Sequence, residues 1–272
     1  MRTRTPISAL LSGLPLLILL CLPLVGLIWT TSAGDIARGL NHSVFDSALW
    51  LSIKTTLGSL MLIIGLGTPL SWWLANTHHR LRKVVNTLID IPIILPPAVV
   101  GLGLLQVFGQ QGLLGDTLQV FELQIPFTPL AVVIAQVVIA TPYYVHTAVN
   151  AFGKIDPELM LVARSLGRGP WYNFRRLVLP LSLPGMVSGA ALAWARALGE
   201  FGATLLFAGN LSGVTQTMPL GIYMTLESNP QVAVALALVL ALTSIGILTL
   251  VRLVPALLNR KTEQDSINGE VQ

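Results

Sequence analysis

Long apolar runs separated by short polar turns dominate the chain. A helix needs about 20 apolar residues to cross the hydrocarbon core of a bilayer. Six runs meet that length, roughly Ala9–Thr30, Ala48–Ala75, Val84–Phe108, Phe127–Ala148, Leu181–Ala208 and Val232–Val254. None shows the alternating ten-residue pattern of a membrane barrel. Lipid supplies no water to open backbone groups, so each run is expected to close its own hydrogen bonds as a helix. The pattern predicts an all-α polytopic membrane protein with six transmembrane helices.

The first run starts after Arg2 and Arg4 and ends at the small residues Thr31-Ser32-Ala33, which resembles a signal peptide. A signal core usually holds about 7–15 residues. This run is longer and contains Pro15 and Pro23, so it reads as a retained span.

Composition supports a bilayer as solvent. Of 272 residues, 53% are hydrophobic and 10% are charged; soluble domains carry about a quarter charged residues. Mean hydropathy is +0.75. Disorder needs the opposite balance. Cys21 is the single cysteine, which excludes an internal disulfide and a cysteine-based zinc site. The pI of about 9.6 could suggest nucleic acid. The basic residues instead sit between apolar runs, where they set membrane orientation.

Thirteen of the sixteen Lys and Arg residues fall on one side of a six-span layout: Arg2, Arg4, Arg80, Arg82, Lys83, Lys154, Arg164, Arg168, Arg175, Arg176, Arg252, Arg260 and Lys261. Arg38 and Lys54 fall on the other, and Arg196 lies within a span. The positive-inside rule therefore places both termini in the cytoplasm. The outer loops become Thr31–Ser47, Gly109–Pro126 and Gly209–Gln231, and Met218–Leu226 is apolar enough for a short helix lying at the membrane surface. The tail beyond Asn259 is polar and expected to fray. The chain divides into residues 1–46 (cytoplasmic tip, first helix and outer loop), 47–254 (the membrane domain) and 255–272 (a cytoplasmic tail).

The longest cytoplasmic segment between spans, Asn150–Leu179, holds a helix signal. Asp156 suits an N-cap, Pro157 the first helical position, Glu158 the positive helix end, and Gly167 the left-handed stop. Such a helix has about ten residues and is too short to be stable alone. Leu159, Leu161, Val162 and Leu166 must be covered, either by the protein's own membrane face or by a cytoplasmic partner; Arg164 and Arg168 share the element.

These residues resemble a known family. Ala163, Gly167, and then Leu177-Val-Leu179-Pro180 after nine residues match the signature loop of ABC importer permeases. That loop reads Glu-Ala-Ala, three residues, Gly, nine residues, Ile, one residue, Leu-Pro. Leu161-Val162-Ala163 stands where the family has Glu-Ala-Ala, so the family glutamate is missing; Glu158 lies one turn earlier. Ala195-Arg-Ala-Leu-Gly-Glu-Phe-Gly-Ala-Thr204, Phe207-Ala-Gly-Asn210 and Thr215-Gln-Thr-Met-Pro-Leu220 resemble molybdate permeases more than sulfate permeases. Asp90-Ile-Pro-Ile-Ile-Leu-Pro-Pro-Ala-Val-Val-Gly101 and Phe108-Gly-Gln-Gln-Gly-Leu-Leu-Gly115 resemble the same group.

The resemblance, which covers Ser47–Val254, implies a type I permease domain and a homodimer with a pore along its axis. It also implies two cytoplasmic ATPase subunits that bind ATP and Mg, and a periplasmic or lipid-anchored oxyanion-binding protein. The implied location is the cytoplasmic membrane of a prokaryote. Glu158, Leu161, Val162, Ala163, Arg164, Gly167, Leu179 and Pro180 then form the ATPase-coupling loop. Molybdate is the implied substrate, with tungstate, sulfate or thiosulfate as alternatives; an ion-coupled secondary transporter is the alternative from another class. The chain itself carries no phosphate-binding loop, hydrolase or metalloprotease motif, so neither a catalytic residue, a metal site nor a resident cofactor is expected.

Arg196 and Glu200 are the one ionisable pair that the sequence alone places deep in a span. At i and i+4 they share a helix face. They either neutralise each other inside the bundle or face the translocation path, where Arg196 would attract a dianion, with Thr204 and Ser188 adding hydroxyls. Gly185-Met-Val-Ser-Gly189 permits close helix approach. Pro96-Pro97, inside the third span, suggests a kink lining a cavity. His78 and His79 read as a solvated flank, His146 as an isolated structural residue, Trp72 and Trp73 as interfacial anchors, and Lys54 as a snorkelling or anion-attracting residue.

Overall fold

The computed structural model describes the backbone of residues 7–77 and 79–269, and the side chains of 11–77, 79–163 and 165–249. Arg2, Arg4 and His78 lie outside the described residues, as do the side chains of Arg164, Arg252, Arg260 and Lys261. The described secondary structure is helical throughout. α1 (Ile7–Thr30), α3 (Ser43–Asn76), α7 (Pro129–Gly153) and α13 (Pro230–Gly269) are continuous helices. α13 carries on past Asn259, so the tail expected to fray is helical to Gly269.

Two of the expected spans are interrupted. The third divides into α4 (Leu81–Ile94) and α5 (Pro97–Phe108), bent by 113°. Consecutive prolines explain the break. Pro96 and Pro97 offer no N–H, and a residue before proline is forced out of the helical region; Leu95 and Pro96 accordingly have ψ of 139 and 135. The two arms still cover both halves of α7. α4 rests near His146, while Val100, Leu104 and Leu105 of α5 pack with Ala131, Val132 and Ala135.

The fifth span begins earlier than expected and ends sooner. α9 (Pro170–Asn173), a π-helical turn (Phe174–Val178) and α10 (Leu179–Leu198) form one crossing. Leu179 N–H donates to Phe174 O, five residues back. Pro180 has no N–H to continue the ordinary ladder, which accounts for the widened turn. After Leu198 the chain leaves the helix at Gly199 and resumes as α11 (Gly202–Ala208).

Lipid provides little hydrophobic drive between helices, so close packing must hold the bundle together. Gly185 and Gly189 of α10 perform that role. A Cβ on Gly185 would meet Ala151 Cβ at 2.5 Å, and one on Gly189 would meet Thr147 Cβ at 2.9 Å, both on α7. Tyr144 of α7 is fully buried against α3 and shares a 2.7 Å hydrogen bond with Thr68. Trp72 differs from its expected interfacial role. It packs between Phe152 and Phe174, with ring centroids 5.4 Å from each.

The outer loops are more ordered than their polar residues suggest. α2 (Ala33–Leu40) has a capping box. Ser32 Oγ accepts from Asp35 N–H, Asp35 accepts from Ser32 N–H, and Arg38 pairs with Asp35. The hydrogen bonds from Ser32 hold the Asp35 carboxyl below its usual value of 3.8. α6 (Gly115–Val120) lies in the second loop. The short helix expected in the third is α12 (Met218–Ser228), yet it is tucked into the bundle rather than lying on its surface. Met218 N–H donates to Ser52 Oγ at 2.8 Å, and Gly221 sits against Val44.

Candidate functional site

The first candidate element is α8 (Pro157–Ser165), the cytoplasmic helix read from the sequence. Asp156 Oδ1 accepts from Glu158 N–H at 2.9 Å, capping the start. Gly167 has φ +73, and Arg168 N–H reaches back to Ala163 O at 3.3 Å. Together these form a Schellman stop, in which the glycine supplies the left-handed residue at no steric cost. Leu159, Leu161, Val162 and Leu166 are exposed, Leu161 by 60% and Leu166 by 73%. These four side chains therefore project from the chain, while Met160 packs back on the inner core. Glu158 is exposed as well, and Ala163 half-buried. Leu179 packs on the inner core beside Val178, while Pro180 is exposed at the start of α10.

The second element is the meeting of the two broken spans. Gly202, just after the α10–α11 break, would bring a Cβ to 3.2 Å from Ala98 N and 3.3 Å from Pro97 Cβ. Gly101 lies closer still, since its Cβ would fall 2.5 Å from Ala203 O. The α4–α5 and α10–α11 breaks thus abut within the bundle. Interrupted backbone is tolerated at membrane depth only where protein or a cavity satisfies it.

That contact makes a stability prediction. Gly101→Ala should lose about 1–3 kcal/mol through overpacking against fixed backbone. Gly103, two residues on and so on the opposite side of α5, has nothing within 4 Å of its Cβ position. Gly103→Ala should be neutral or slightly stabilising. Thermal unfolding of both variants in detergent measures the difference.

Arg196 and Glu200 stand at this junction. They pair, Arg196 Nη1 lying 2.7 Å from Glu200 Oε2, but not along one continuous helix face. Glu200 sits in the break itself. Its Oε1 accepts from Ala203 N–H at 2.8 Å, closing the first turn of α11. The carboxylate is 1% exposed and the guanidinium 26%. Arg196 is therefore the member that reaches the surface of the chain, with its neutralising partner behind it.

Thr204, the third residue of α11, is buried, and its hydroxyl has no hydrogen-bond partner. Ser188 is not brought into this group. It is exposed, it donates to Pro184 O at 2.9 Å, and eight residues of helix separate it from Arg196, about 12 Å. Lys54 is exposed and lies over the Trp50 ring at 5.0 Å, an interfacial arrangement.

One pair was invisible to local sequence reasoning. His146 is not isolated: its Nε2 lies 2.6 Å from Asp90 Oδ1, linking α7 to α4. Arg196 and Glu200 are thus not the only ionisable pair at membrane depth. Fifty-six positions separate the partners, so no spacing rule reports them. Among the described residues no group of three or more His, Cys, Asp or Glu could hold a metal ion.

Comparison with known proteins places this architecture. The family described as binding-protein-dependent transport system inner membrane component matches residues 67–264. The molybdenum transport system permease protein ModB of Mycobacterium tuberculosis is 44% identical over 199 residues, covering 73% of this chain and 75% of that one. The protein of the same name from Azotobacter vinelandii is 35% identical over 183 residues, covering 67% and 81%. Among solved structures, a bacterial ABC transporter that imports the acidic polysaccharide alginate superposes with a TM-score of 0.72. It covers 92% of this chain and 94% of its own at 16% identity, a likeness of fold alone.

Proposed function

The chain belongs to the family of binding-protein-dependent transport system inner membrane components, and on that premise we propose that it is the permease subunit of an ATP-driven importer carrying molybdate across the cytoplasmic membrane. The relatives named for molybdenum transport support the substrate. The observation that carries the mode of action is α8, a capped helix from which Leu159, Leu161, Val162 and Leu166 stand clear of the chain.

In this reading two copies of the chain form the pore, and each α8 enters a groove on a cytoplasmic ATPase subunit. Those subunits bind ATP and Mg, and an external binding protein delivers the oxyanion. The excess of Lys and Arg on the side of α8 supports a cytoplasmic position for that helix and for both termini.

Selectivity between oxyanions tests the substrate. In vesicles with the ATPase and binding protein, labelled molybdate should accumulate only with ATP. Sulfate should accumulate far less, and tungstate, a close isostere, to a comparable extent. Sulfate uptake equal to molybdate would remove the assignment, and uptake without ATP would move the chain to ion-coupled transport.

A further inference from the structure

α4 has three distinct faces. Leu81, Val84, Leu88 and Ile91 form an exposed apolar stripe. Val85 and Ile89 pack on the core that α7 contributes to. Lys83, Asn86 and Asp90 form a third line, centred about 140° round the helix from the apolar stripe at 3.6 residues per turn. α7 presents a matching line, in which Tyr143, His146 and Asn150 are partly or fully exposed while Tyr144, Val145 and Ala148 between them are buried. The two lines meet at the 2.6 Å contact between Asp90 and His146, whose side chains are 40% and 42% exposed.

The pair sits at membrane depth. His146 is seven residues from the end of α7 at Gly153, about 10 Å along the axis. Asp90 lies a turn before the break after Ile94. Ionisable side chains at such depth face protein or a water-filled cavity, because lipid contact costs several kcal/mol. The lipid-facing role on α4 is already taken by its apolar stripe. The polar line runs instead from the basic turn at Arg80, Arg82 and Lys83 up to Asp90, one turn short of the break, where the exposed Ile93 and Ile94 follow it.

We propose that Asp90 and His146 line the cytoplasmic half of the aqueous translocation path, and that their pairing holds the inner arm α4 against α7 as the wall of that vestibule. Among the described residues this contact is the one side-chain hydrogen bond between α4 and another helix. No residue of α4 is fully buried, so beyond the partly buried Val85 and Ile89 little else fixes the arm. The proposal rests on the transporter reading for the existence of a path, and it adds where the path runs. Asp90 and His146 are positioning residues here.

Thiol labelling of the full assembly tests both halves. Single-cysteine variants are made in a Cys21→Ser background and placed in inside-out vesicles without nucleotide. A charged, membrane-impermeant maleimide is then added. Asn86→Cys and Asn150→Cys, on the polar lines, should react at least about tenfold faster than Leu88→Cys on the apolar stripe, because apolar surroundings suppress the reactive thiolate. Ile89→Cys, at the α4–α7 contact, should be protected. It should become reactive when Asp90→Ala is added, and Asp90→Glu should restore protection.

Equal labelling of Asn86→Cys and Leu88→Cys, or no labelling at both asparagine positions, would overturn the placement of the path. Protection of Ile89→Cys that survives Asp90→Ala would overturn the latch. Labelling needs no transported ion. Failed molybdate uptake with this pattern intact would therefore sink the substrate reading and leave the vestibule standing.

Discussion

Gly167→Pro should abolish ATP-driven uptake while leaving the protein in the membrane at wild-type abundance. Gly167 has φ +73, and proline is fixed near −65°. The stop of α8 cannot form with that ring in place, and the bond from Arg168 N–H to Ala163 O is lost with it. The damage stays local because Leu159, Leu161, Val162 and Leu166 are exposed rather than packed on the chain. Insertion depends on the long apolar spans, which the substitution does not touch.

A docking element must transmit force, so its direction matters as much as its presence. Even about 1.4 kcal/mol lost from the docked state lowers its population tenfold. Gly167→Ala offers a graded companion. Nothing lies within 4 Å of its Cβ position, so its cost is backbone strain alone; a non-glycine residue in that region costs of order 1–3 kcal/mol. The expected order of uptake is wild type, then Gly167→Ala, then Gly167→Pro. Wild-type uptake by an inserted, ATPase-assembled Gly167→Pro variant would exclude α8 as the lever.

The missing family glutamate fits the same geometry. Leu161 occupies that position and is 60% exposed. The proposed docking through this face would therefore rest on apolar burial, worth about 25 cal/mol per Å², rather than on a carboxylate contact at that point. Glu158 is exposed on the preceding turn and capped through its N–H by Asp156.

The helices were legible because a bilayer demands a continuous apolar run, and such runs survive in one dimension. α8 was legible because Asp156, Pro157 and Gly167 each act on the few residues beside them. Pro96-Pro97 announced an interruption, but two prolines do not state an angle; the 113° bend depends on what the second arm packs against. The break at Gly199 carried no comparable signal. Across it the buried carboxylate of Glu200 takes the N–H of Ala203, a pairing that appears only in the folded chain.

α2 shows a different limit. Its Ser32–Asp35 capping box was present in the sequence, yet eight residues between two spans give too short a pattern to read as a helix. The Asp90–His146 pair exists only once α4 lies on α7, and pairs joined by tertiary packing leave no periodicity behind.

Arg196→Ala should reduce uptake more than Lys54→Ala at equal membrane abundance, because Arg196 stands where the broken spans meet and Lys54 lies exposed over Trp50. That comparison alone cannot separate a path residue from an interior ion pair. Removing Arg196 strands the buried carboxylate of Glu200, and breaking one side of a buried pair costs about 3–5 kcal/mol. Glu200→Gln separates the two roles. Gln Oε1 can still accept from Ala203 N–H, so the first turn of α11 keeps its hydrogen bond. Arg196 keeps its full charge but loses the anion that neutralises it.

If Arg196 faces the path, a passing dianion then meets an uncompensated guanidinium and leaves more slowly. Two unit charges about 4 Å apart interact by about 4 kcal/mol at an effective dielectric of 20. Recovery of a third of that by the substrate would slow release about tenfold. Uptake should fall while the oxyanion retained by the washed permease rises. If the pair merely braces the bundle, Glu200→Gln lowers the unfolding temperature and retention stays at the wild-type level. Equilibrium retention of labelled molybdate, measured beside thermal unfolding, therefore decides whether the acidic partner keeps the arginine weak enough to let its cargo go.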